Sequence, residues 1–292
     1  MIIDNGIEFF DTNFWIGENN LSEKYTSDDE SAAKAIAERA EKYNITATLV
    51  THFNSLFCSP ETGNDLLACF LKQVNGFRNV TPVKKSLKDT GYKESGPGNF
   101  ICNGVLFMEF EYFKSPGIFR SQLKRRYEEG FRCIRLLPKS HKYPFEATLL
   151  KHIYEVLNDC RFPVMISIDE MDITGDKYIE WMKILHVAGS FGNMPIIIDG
   201  GNSKEMIFNS YMYLLIQNSS NIYFNTHNLF GLGQIENIVS CGGSERLIFD
   251  SYFPFYETFL SVDRILEADL PEKEKRNIAS LNMKNIVDNI II

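Results

Sequence analysis

The sequence predicts an α/β protein built as a single (β/α)8 barrel, because eight short apolar runs alternate with stretches of helical periodicity along 292 residues. Each run is rich in Val, Ile, Leu or Phe and ends in polar residues, which is typical of strands buried on both faces of a parallel barrel. An open doubly wound sheet is the alternative for the same alternation. The runs are Ile7–Asn13, Ile45–Asn54, Gly104–Glu111, Cys133–Lys139, Pro163–Asp169, Pro195–Asn202, Ile222–His227 and Arg246–Ser251.

Segments with helical spacing follow most of these runs. The first begins at a capping box, Ser27 to Glu30, and continues through an alanine-rich amphipathic stretch. The last, Glu267–Val287, has Pro271 near its start and is expected to pack on the barrel as a C-terminal helix. The segments between them are Asn64–Lys72, Gly117–Glu129, Glu146–Leu157, Tyr178–Val187, Lys204–Ile216 and Ile235–Ser240.

The length favours one domain over residues 1–292, since a barrel takes about 250 residues and insertions account for the rest. One stretch, about 79–99, breaks the alternation because it is polar and contains Gly91, Gly96, Pro97 and Gly98. We interpret it as a polar insertion near the barrel rim. It is either a lid over the site or a plain surface excursion.

Composition narrows the classes of partner. A hydrophobic fraction of 44% supports a large core, and a net charge of −8 disfavours nucleic acid, which requires a basic face. No apolar run approaches the roughly 20 residues that span a bilayer, and the N-terminus lacks a signal-peptide pattern. We therefore expect a cytoplasmic protein with a small-molecule substrate or ligand, no nucleic-acid partner and no membrane partner. Association of this chain with further copies of itself, as a homo-oligomer, is left open by the sequence.

The polar ends of the runs predict the site, because the carboxyl ends of barrel strands meet at one mouth. The six cysteines include no C-x-x-C pair, so we expect reduced and mostly buried thiols instead of a zinc or redox centre. The polar residues at the run ends are Asp11, Asn13, Trp15, His52, Asn54, Glu109, Glu111, Arg135, Lys139, Ser167, Asp169, Asp199, Asn202, Asn225, His227, Asp250 and Ser251.

Two histidines, His227 and His52, end the seventh and second runs, where a general base would act. The alternative for each is a hydrogen-bonded rim histidine without a chemical role. Arg135 and Lys139 share one face of the fourth run. Such a pair clamps an anionic substrate, or Arg135 forms an internal salt bridge with Glu109 or Glu111.

Three segments carry a resemblance to a known family. Segment Gly130–Lys139 reads GFRCIRLLPK, Arg246–Pro254 reads RLIFDSYFP and Ala268–Asn282 reads ADLPEKEKRNIASLN. These resemble the fourth strand, the final strand and the closing helix of the amidohydrolase-related family, TIM-barrel hydrolases of the amidohydrolase superfamily. The similarity runs in order from Asp11 to about Val287.

The resemblance implies a divalent metal at the barrel mouth, but this chain departs from the ligand pattern. The family's His-x-His falls on Asn13 and Trp15, its later histidines on Ser167 and Asp199, and its strand-8 aspartate on Tyr252. We therefore predict no cofactor and no metal ligands. The alternative is a divalent metal such as Mg²⁺ held by carboxylates, for which Asp11, Asp199 and Asp250 are candidates together with His227.

The resemblance and the strand ends together predict a hydrolase that acts on a small polar or anionic amide, ester or lactone without the usual zinc. We expect Asp250, as a displaced acid, or His227 to act as base, with His52 as a further candidate. Two alternatives are a non-catalytic ligand-binding or regulatory barrel and a metal-dependent lyase. Residues expected to bind or wall the substrate are Asn13, Trp15, Arg135, Lys139, Ser167, Asp199 and Tyr252.

Overall fold

The computed structural model describes residues 6–18, 28–76, 100–171, 180–201, 206 and 209–292. Eight parallel strands, β1 to β8, form one sheet in which each strand pairs with the next in chain order. Backbone hydrogen bonds from Thr12 to Phe249 and from Trp15 to Phe253 join the first strand to the segment after the last. This sequential order describes a nearly closed TIM barrel, as predicted, and excludes the doubly wound sheet, whose strand order reverses. The strands are β1 (Phe9–Ile16), β2 (Ile45–His52), β3 (Ile101–Phe107), β4 (Phe131–Leu136), β5 (Val164–Ser167), β6 (Ile196–Asp199), β7 (Ile222–Asn225) and β8 (Leu247–Ile248).

Each predicted run contains all or most of a strand, because continuous apolar stretches are what a doubly buried strand requires. The main differences lie at the ends. Strand β1 continues to Ile16, and β8 stops at Ile248, so Asp250 and Ser251 belong to the loop that follows. Polar residues at these ends bond to one another instead of extending the sheet, as described below.

Helices alternate with the strands. The first begins one residue later than the capping box suggests: Asp28 is the N-cap and accepts the backbone N–H of Ser31, while Ser27 lies outside the described residues. A short helix at Phe53–Phe57 has no counterpart in the prediction. The described helices are α1 (Asp29–Tyr43), α2 (Phe53–Phe57), α3 (Pro60–Gly76), α4 (Pro116–Glu128), α5 (Lys151–Asp159), α6 (Trp181–Ser190), α7 (Ser210–Asn218), α8 (Gln234–Gly242), α9 (Thr258–Leu266), α10 (Glu272–Arg276) and α11 (Asn282–Asp288).

The C-terminal helical segment closes the barrel interior. Pro271 precedes α10 as its N-cap, and a π-helical turn at Asn277–Leu281 connects α10 to α11. Met283 and Ile286 of α11 pack into the cluster that fills the barrel. The prediction of a C-terminal helix packed on the barrel is therefore confirmed. That interior cluster consists of Phe10, Ala47, Leu49, Val105, Cys133, Met165, Ile197, Ile248, Met283 and Ile286.

The structure bears on the expected insertion, the cysteines and the helices as follows. The insertion at about 79–99 lies outside the described residues, as does Asn202 at the end of the sixth run. Cys102, Cys133 and Cys160 are buried, but Cys58, Cys69 and Cys241 are exposed on helices or adjoining turns, so the expectation of mostly buried thiols is wrong for half of them. Among the described helices, none has the length and hydropathy needed to cross a bilayer.

Because α11 packs against the barrel interior, we expect a large loss of stability when one of its buried side chains is shortened. Replacing Ile286, which is 4% exposed, with Ala should lower the free energy of unfolding by about 2–4 kcal/mol, because it leaves a cavity against the barrel interior. Urea denaturation monitored by circular dichroism measures the change. Lys284→Ala, on the exposed face of the same helix, is the control and should change stability by less than about 0.5 kcal/mol. Equal effects of the two substitutions would contradict this packing.

Candidate active site

Five polar side chains converge at the carboxyl ends of the strands. They come from β1, β4, β6, the end of β7 and the loop after β8, and each is at most 2% exposed. Parallel strands of a barrel place these ends at the same mouth, so residues far apart in sequence become neighbours. We call this group the central cluster. Its members are Asn13, Arg135, Asp199, His227 and Asp250.

His227 lies between two carboxylates. Its Nδ1 makes a short hydrogen bond to Asp250 Oδ2, and its backbone N–H donates to Asp250 Oδ1 at 2.8 Å. Its Nε2 is 3.0 Å from the carbonyl oxygen of Gly201 and 3.5 Å from Asp199 Oδ1. Burial alone would lower the pKa of His227, but Asp250 and then Asp199 outweigh burial and raise that pKa to about 9. The ring is therefore an imidazolium at neutral pH.

Arg135 supplies the second positive charge. Its Nη1 donates to Asp199 Oδ2 at 2.5 Å, and its Nη2 donates to Asn13 Oδ1 at 2.8 Å. Burial opposes ionisation of Asp199, yet Arg135 and then His227 keep the pKa of this carboxyl below its usual value. A buried carboxylate paired in this way remains charged.

The side-chain amide of Asn13 lies between the Arg135–Asp199 pair and the His227–Asp250 pair. Its Nδ2 lies 3.2 Å from Asp199 Oδ2 and 3.3 Å from Asp250 Oδ2. Its Oδ1 accepts from Arg135 and, at 2.8 Å, from Trp15 Nε1. Asn13 thus donates towards both carboxylates and accepts from both flanking donors, which fixes its orientation. The expected positioning role of Asn13 is consistent with this geometry.

Aromatic rings wall the cluster. The ring of Tyr252 lies flat on that of His227, with centroids 4.3 Å apart and planes 7° apart. Tyr252 adopts a φ of +54°, a left-handed conformation that costs a non-glycine residue about 1 kcal/mol and that tends to occur at functional sites. Trp15 stacks on Phe53 at 5.0 Å and lies 5.0 Å from the guanidinium carbon of Arg135. Tyr252 therefore covers one face of His227, and Trp15 lies beside Arg135.

Asp250 and Tyr252 both lie against the His227 ring. Because β8 ends at Ile248, Asp250 and Tyr252 lie in a loop and reach His227 in different ways. Asp250 bonds to the edge of the ring, whereas Tyr252 covers its face. Both residues contact one imidazole, so His227 and Asp250 do not turn away from a common centre.

Asp11 has a structural part beside the cluster. Its carboxylate accepts the backbone N–H of Ser251 at 2.8 Å, the Ser251 hydroxyl at 2.5 Å and the backbone N–H of Asn13 at 3.2 Å. Burial raises the pKa of Asp11 to about 6, although these hydrogen bonds oppose the change. Asp11 therefore ties β1 to the loop after β8 instead of joining the three groups around His227.

Besides Trp15 and Tyr252, three predicted site residues lie outside the central cluster. His52 caps the short helix Phe53–Phe57: its Nδ1 accepts the backbone N–H of Asn54 at 3.1 Å, and burial lowers its pKa to about 4. Lys139 is exposed in the turn after β4. Ser167 pairs in register with Asp199, and its hydroxyl accepts the backbone N–H of Asp169 at 3.4 Å. Among the described hydrogen bonds, none joins His52 to the cluster.

The internal salt bridge considered for Arg135 exists, but its partner is Asp199 and not Glu109 or Glu111. Glu109 instead pairs with Arg126 at 2.9 Å, and Glu111 pairs with Lys114 on the surface. A cross-barrel pair between β4 and β6 cannot be inferred from sequence spacing, because 64 residues separate its two members.

Asn228 is a residue that the sequence analysis missed. Its Nδ2 donates to the carbonyl oxygens of Gly200 and Gly201 at 3.0 and 2.6 Å, and its Oδ1 accepts from the Tyr256 hydroxyl at 3.1 Å. Gly201 has a φ of +55°, and a Cβ there would lie 2.5 Å from Ser167 Oγ, so the turn requires glycine. The available signal was that Asn228 directly follows His227 at a strand end.

Asp199, His227 and Asp250 each offer a ligand atom within 4.8 Å of the others, the spacing of a metal site. However, a metal ligand needs a free carboxylate oxygen or a neutral imidazole with a lone pair towards the metal. Both ring nitrogens of His227 already bond to acceptors, and Asp199 Oδ2 holds the Arg135 guanidinium. The residues in this arrangement do not fit a metal ion.

The pKa values of His227 and His52 are shifted in opposite directions, so we expect the two residues to affect stability in opposite pH ranges. A raised pKa of about 9 means that the contribution of His227 is fully present below pH 6.5 and is lost as pH rises to 9. A lowered pKa of about 4 means that the contribution of His52 is present above pH 6.5 and is lost as pH falls towards 4. The window from pH 7 to 9 therefore isolates His227 from His52.

We expect the wild-type protein to lose on the order of 2 kcal/mol more stability between pH 7 and 9 than His227→Gln does. Urea denaturation at each pH measures both proteins. The subtraction cancels the contribution of the buried Cys133 thiol, whose pKa burial raises to about 12. Parallel pH profiles for the two proteins would show that His227 is not charged in the folded state.

Among known proteins, solved structures are similar to this chain, and the similarity lies in the fold. No protein-family model matches the chain, and no curated protein matches it in sequence. Among solved structures, an uncharacterised TIM-barrel protein from Bordetella bronchiseptica superposes with a TM-score of 0.65 at 13% identity over 97% of this chain and 99% of that one. The 4-oxalomesaconate hydratase of Rhodopseudomonas palustris gives 0.63 at 14%, over 96% of each chain.

A third structure is dihydroxybenzoic acid decarboxylase from Polaromonas sp. JS666, solved with bound manganese and the inhibitor 2-nitroresorcinol. It gives a TM-score of 0.58 at 10% identity over 97% of each chain. Two further structures with a similar fold are described as amidohydrolases. Identities this low establish a shared fold and not a shared reaction. The chain thus shares the TIM-barrel fold of these structures, which is the fold expected from its sequence.

Proposed function

We propose that the central cluster is the acid–base centre of a hydrolase-like enzyme that acts on a small polar molecule. The observation that carries the proposal is the buried hydrogen bond between His227 Nδ1 and Asp250 at the barrel mouth. A buried histidine whose pKa is raised by a carboxylate bonded to its ring is a candidate for a catalytic centre. The strand-end location, where barrel enzymes act, supports it independently.

Hydrolysis of an amide, ester or lactone requires a proton to leave the attacking water and a proton to reach the leaving group. In the proposed centre Asp250 is the proton acceptor and the His227 imidazolium is the donor. Asp199 and the carbonyl of Gly201 hold the ring from its other edge, at 3.5 and 3.0 Å from Nε2. His52 has no part in this exchange, because its Nδ1 is bound to the backbone of Asn54 and burial keeps its pKa near 4.

The substrate class follows from which groups are already paired. Arg135 is bound to Asp199 and Asn13, so we assign it the role of countercharge and not that of an anion clamp. Trp15 and Tyr252 would wall the substrate, and Ser167 and the exposed Lys139 remain candidates for contacting its polar groups. We therefore favour a small polar substrate. The charge of −8 fits the expectation of no nucleic-acid partner.

Lyase-like chemistry uses the same kind of proton transfer. The hydratase and the decarboxylase among the fold neighbours make addition or removal of a small group the natural variant of this proposal. Without a resident metal, such a reaction would again rest on His227 and Asp250.

A non-catalytic ligand-binding or regulatory barrel is the second candidate. The flat stacking of Tyr252 on His227 and the complete burial of both rings favour it, because a group covered in this way is shielded from a reactant. In this case the cluster would be a rigid floor under a ligand pocket.

The test is a pH-stat screen of small esters and lactones, whose hydrolysis releases acid, together with a screen of small amides followed by the amine or ammonia released. With a substrate in hand, Asp250→Asn and His227→Gln should each lower kcat by about 100-fold or more, because each removes one partner of the proton transfer. His186→Gln, at an exposed position on α6, is the matched control and should keep full activity.

Two outcomes would contradict the enzyme. One is hydrolysis that survives both substitutions at the control rate, which would place the chemistry elsewhere. The other is saturable binding of these compounds, detected by calorimetry and abolished by Tyr252→Ala, with no hydrolysis above the rate of the double variant His227→Gln/Asp250→Asn. That result would establish the second candidate.

A further inference from the structure

The central cluster contains the donor set of a metal site and also a guanidinium bound to it. Asp199, His227 and Asp250 place their ligand atoms within 4.8 Å of one another, and all three residues are fully buried. Arg135 Nη1 lies 2.5 Å from Asp199 Oδ2, a carboxylate oxygen of one of these three residues. A cation therefore already occupies one side of the donor set.

The guanidinium is held from several directions. Arg135 is 2% exposed, its Nη2 donates to Asn13 Oδ1, and its Cζ lies 5.0 Å from the Trp15 ring. The Met165 sulfur is 2.7 Å from the same Nη2. Because β4 supplies Arg135 from the barrel wall, withdrawal of the side chain would leave the buried Asp199 without its nearest cationic partner.

Charge then decides which ions the cluster admits. The guanidinium neutralises one of the two carboxylates, and a divalent ion bound to Asp199 would lie within a few ångströms of it. Like charges that close repel strongly in a buried, weakly screened environment. This holds for either protonation state of His227.

We propose that Arg135 is the internal cation of this centre, and that its guanidinium excludes divalent metal ions from Asp199, His227 and Asp250. This inference concerns ion selectivity and stands apart from the proposed enzyme, because it does not depend on whether the cluster catalyses a reaction. It predicts that one substitution converts the cluster into a metal site.

The test is Mn²⁺ titration of the full-length protein, followed by the electron paramagnetic resonance signal of free Mn²⁺. Arg135→Met, which keeps much of the length and removes the charge, should bind Mn²⁺ at least about 100-fold more tightly than the wild type. Arg135→Lys keeps a cation and should bind no better than the wild type. Arg135→Met/Asp199→Asn removes a ligand as well and sets the background.

Each contrary result would overturn the proposal. These are wild-type binding as tight as that of Arg135→Met, Arg135→Lys binding as tight as Arg135→Met, or Arg135→Met binding no better than the double variant. Arg135→Met removes the nearest cationic partner of the buried Asp199 and is the variant at risk of misfolding. If it does not fold alone, refolding from urea with and without Mn²⁺ decides: recovery only with the ion supports the proposal, and failure in both contradicts it.

Discussion

The barrel mouth depends on one constraint, the neutralisation of two buried carboxylates. Asp199 and Asp250 are removed from water, which would be prohibitively unfavourable for isolated charges. The guanidinium of Arg135 and the imidazolium of His227 balance them, and the Asn13 amide connects the two pairs. The surrounding residues support this arrangement. The backbone of Gly201 bonds to Asp199 and His227, and the rings of Tyr252 and Trp15 lie against His227 and Arg135.

The fold was predictable because its signal is local. Doubly buried strands need continuous apolar runs, and every run contains all or most of a strand. Strand ends were harder to place. β8 stops at Ile248 because the following polar residues bond to β1, as when Asp11 accepts from Ser251, and such long-range pairing leaves no periodic trace.

The position of the site was predictable from the sequence, but the contacts between its side chains were predictable only in part. Strand-end logic placed Asn13, Asp199, His227 and Asp250 at one mouth, where the structure brings them into contact. It did not show that Arg135 pairs with Asp199 across the barrel, or that His52 caps a helix. Both outcomes depend on which neighbour is nearest in space, and strand order alone does not supply that.

At the barrel mouth of this chain, protein cations lie against the buried carboxylates. A shared fold brings the strand ends together but does not fix which groups neutralise the charges there. In this chain the neutralising groups are side chains, so the electrostatics of the mouth are set by the sequence itself.

The central claim is that His227 is a doubly protonated imidazolium between two carboxylates, and nitrogen-15 NMR of the histidine rings tests it most directly. At pH 7.5 the account predicts that both ring nitrogens of His227 carry a proton, since its pKa is about 9. Asp250→Asn identifies the resonance, because loss of that carboxylate must shift it. A neutral ring with one bare nitrogen at that pH, free or bound to a metal ion, would contradict the account.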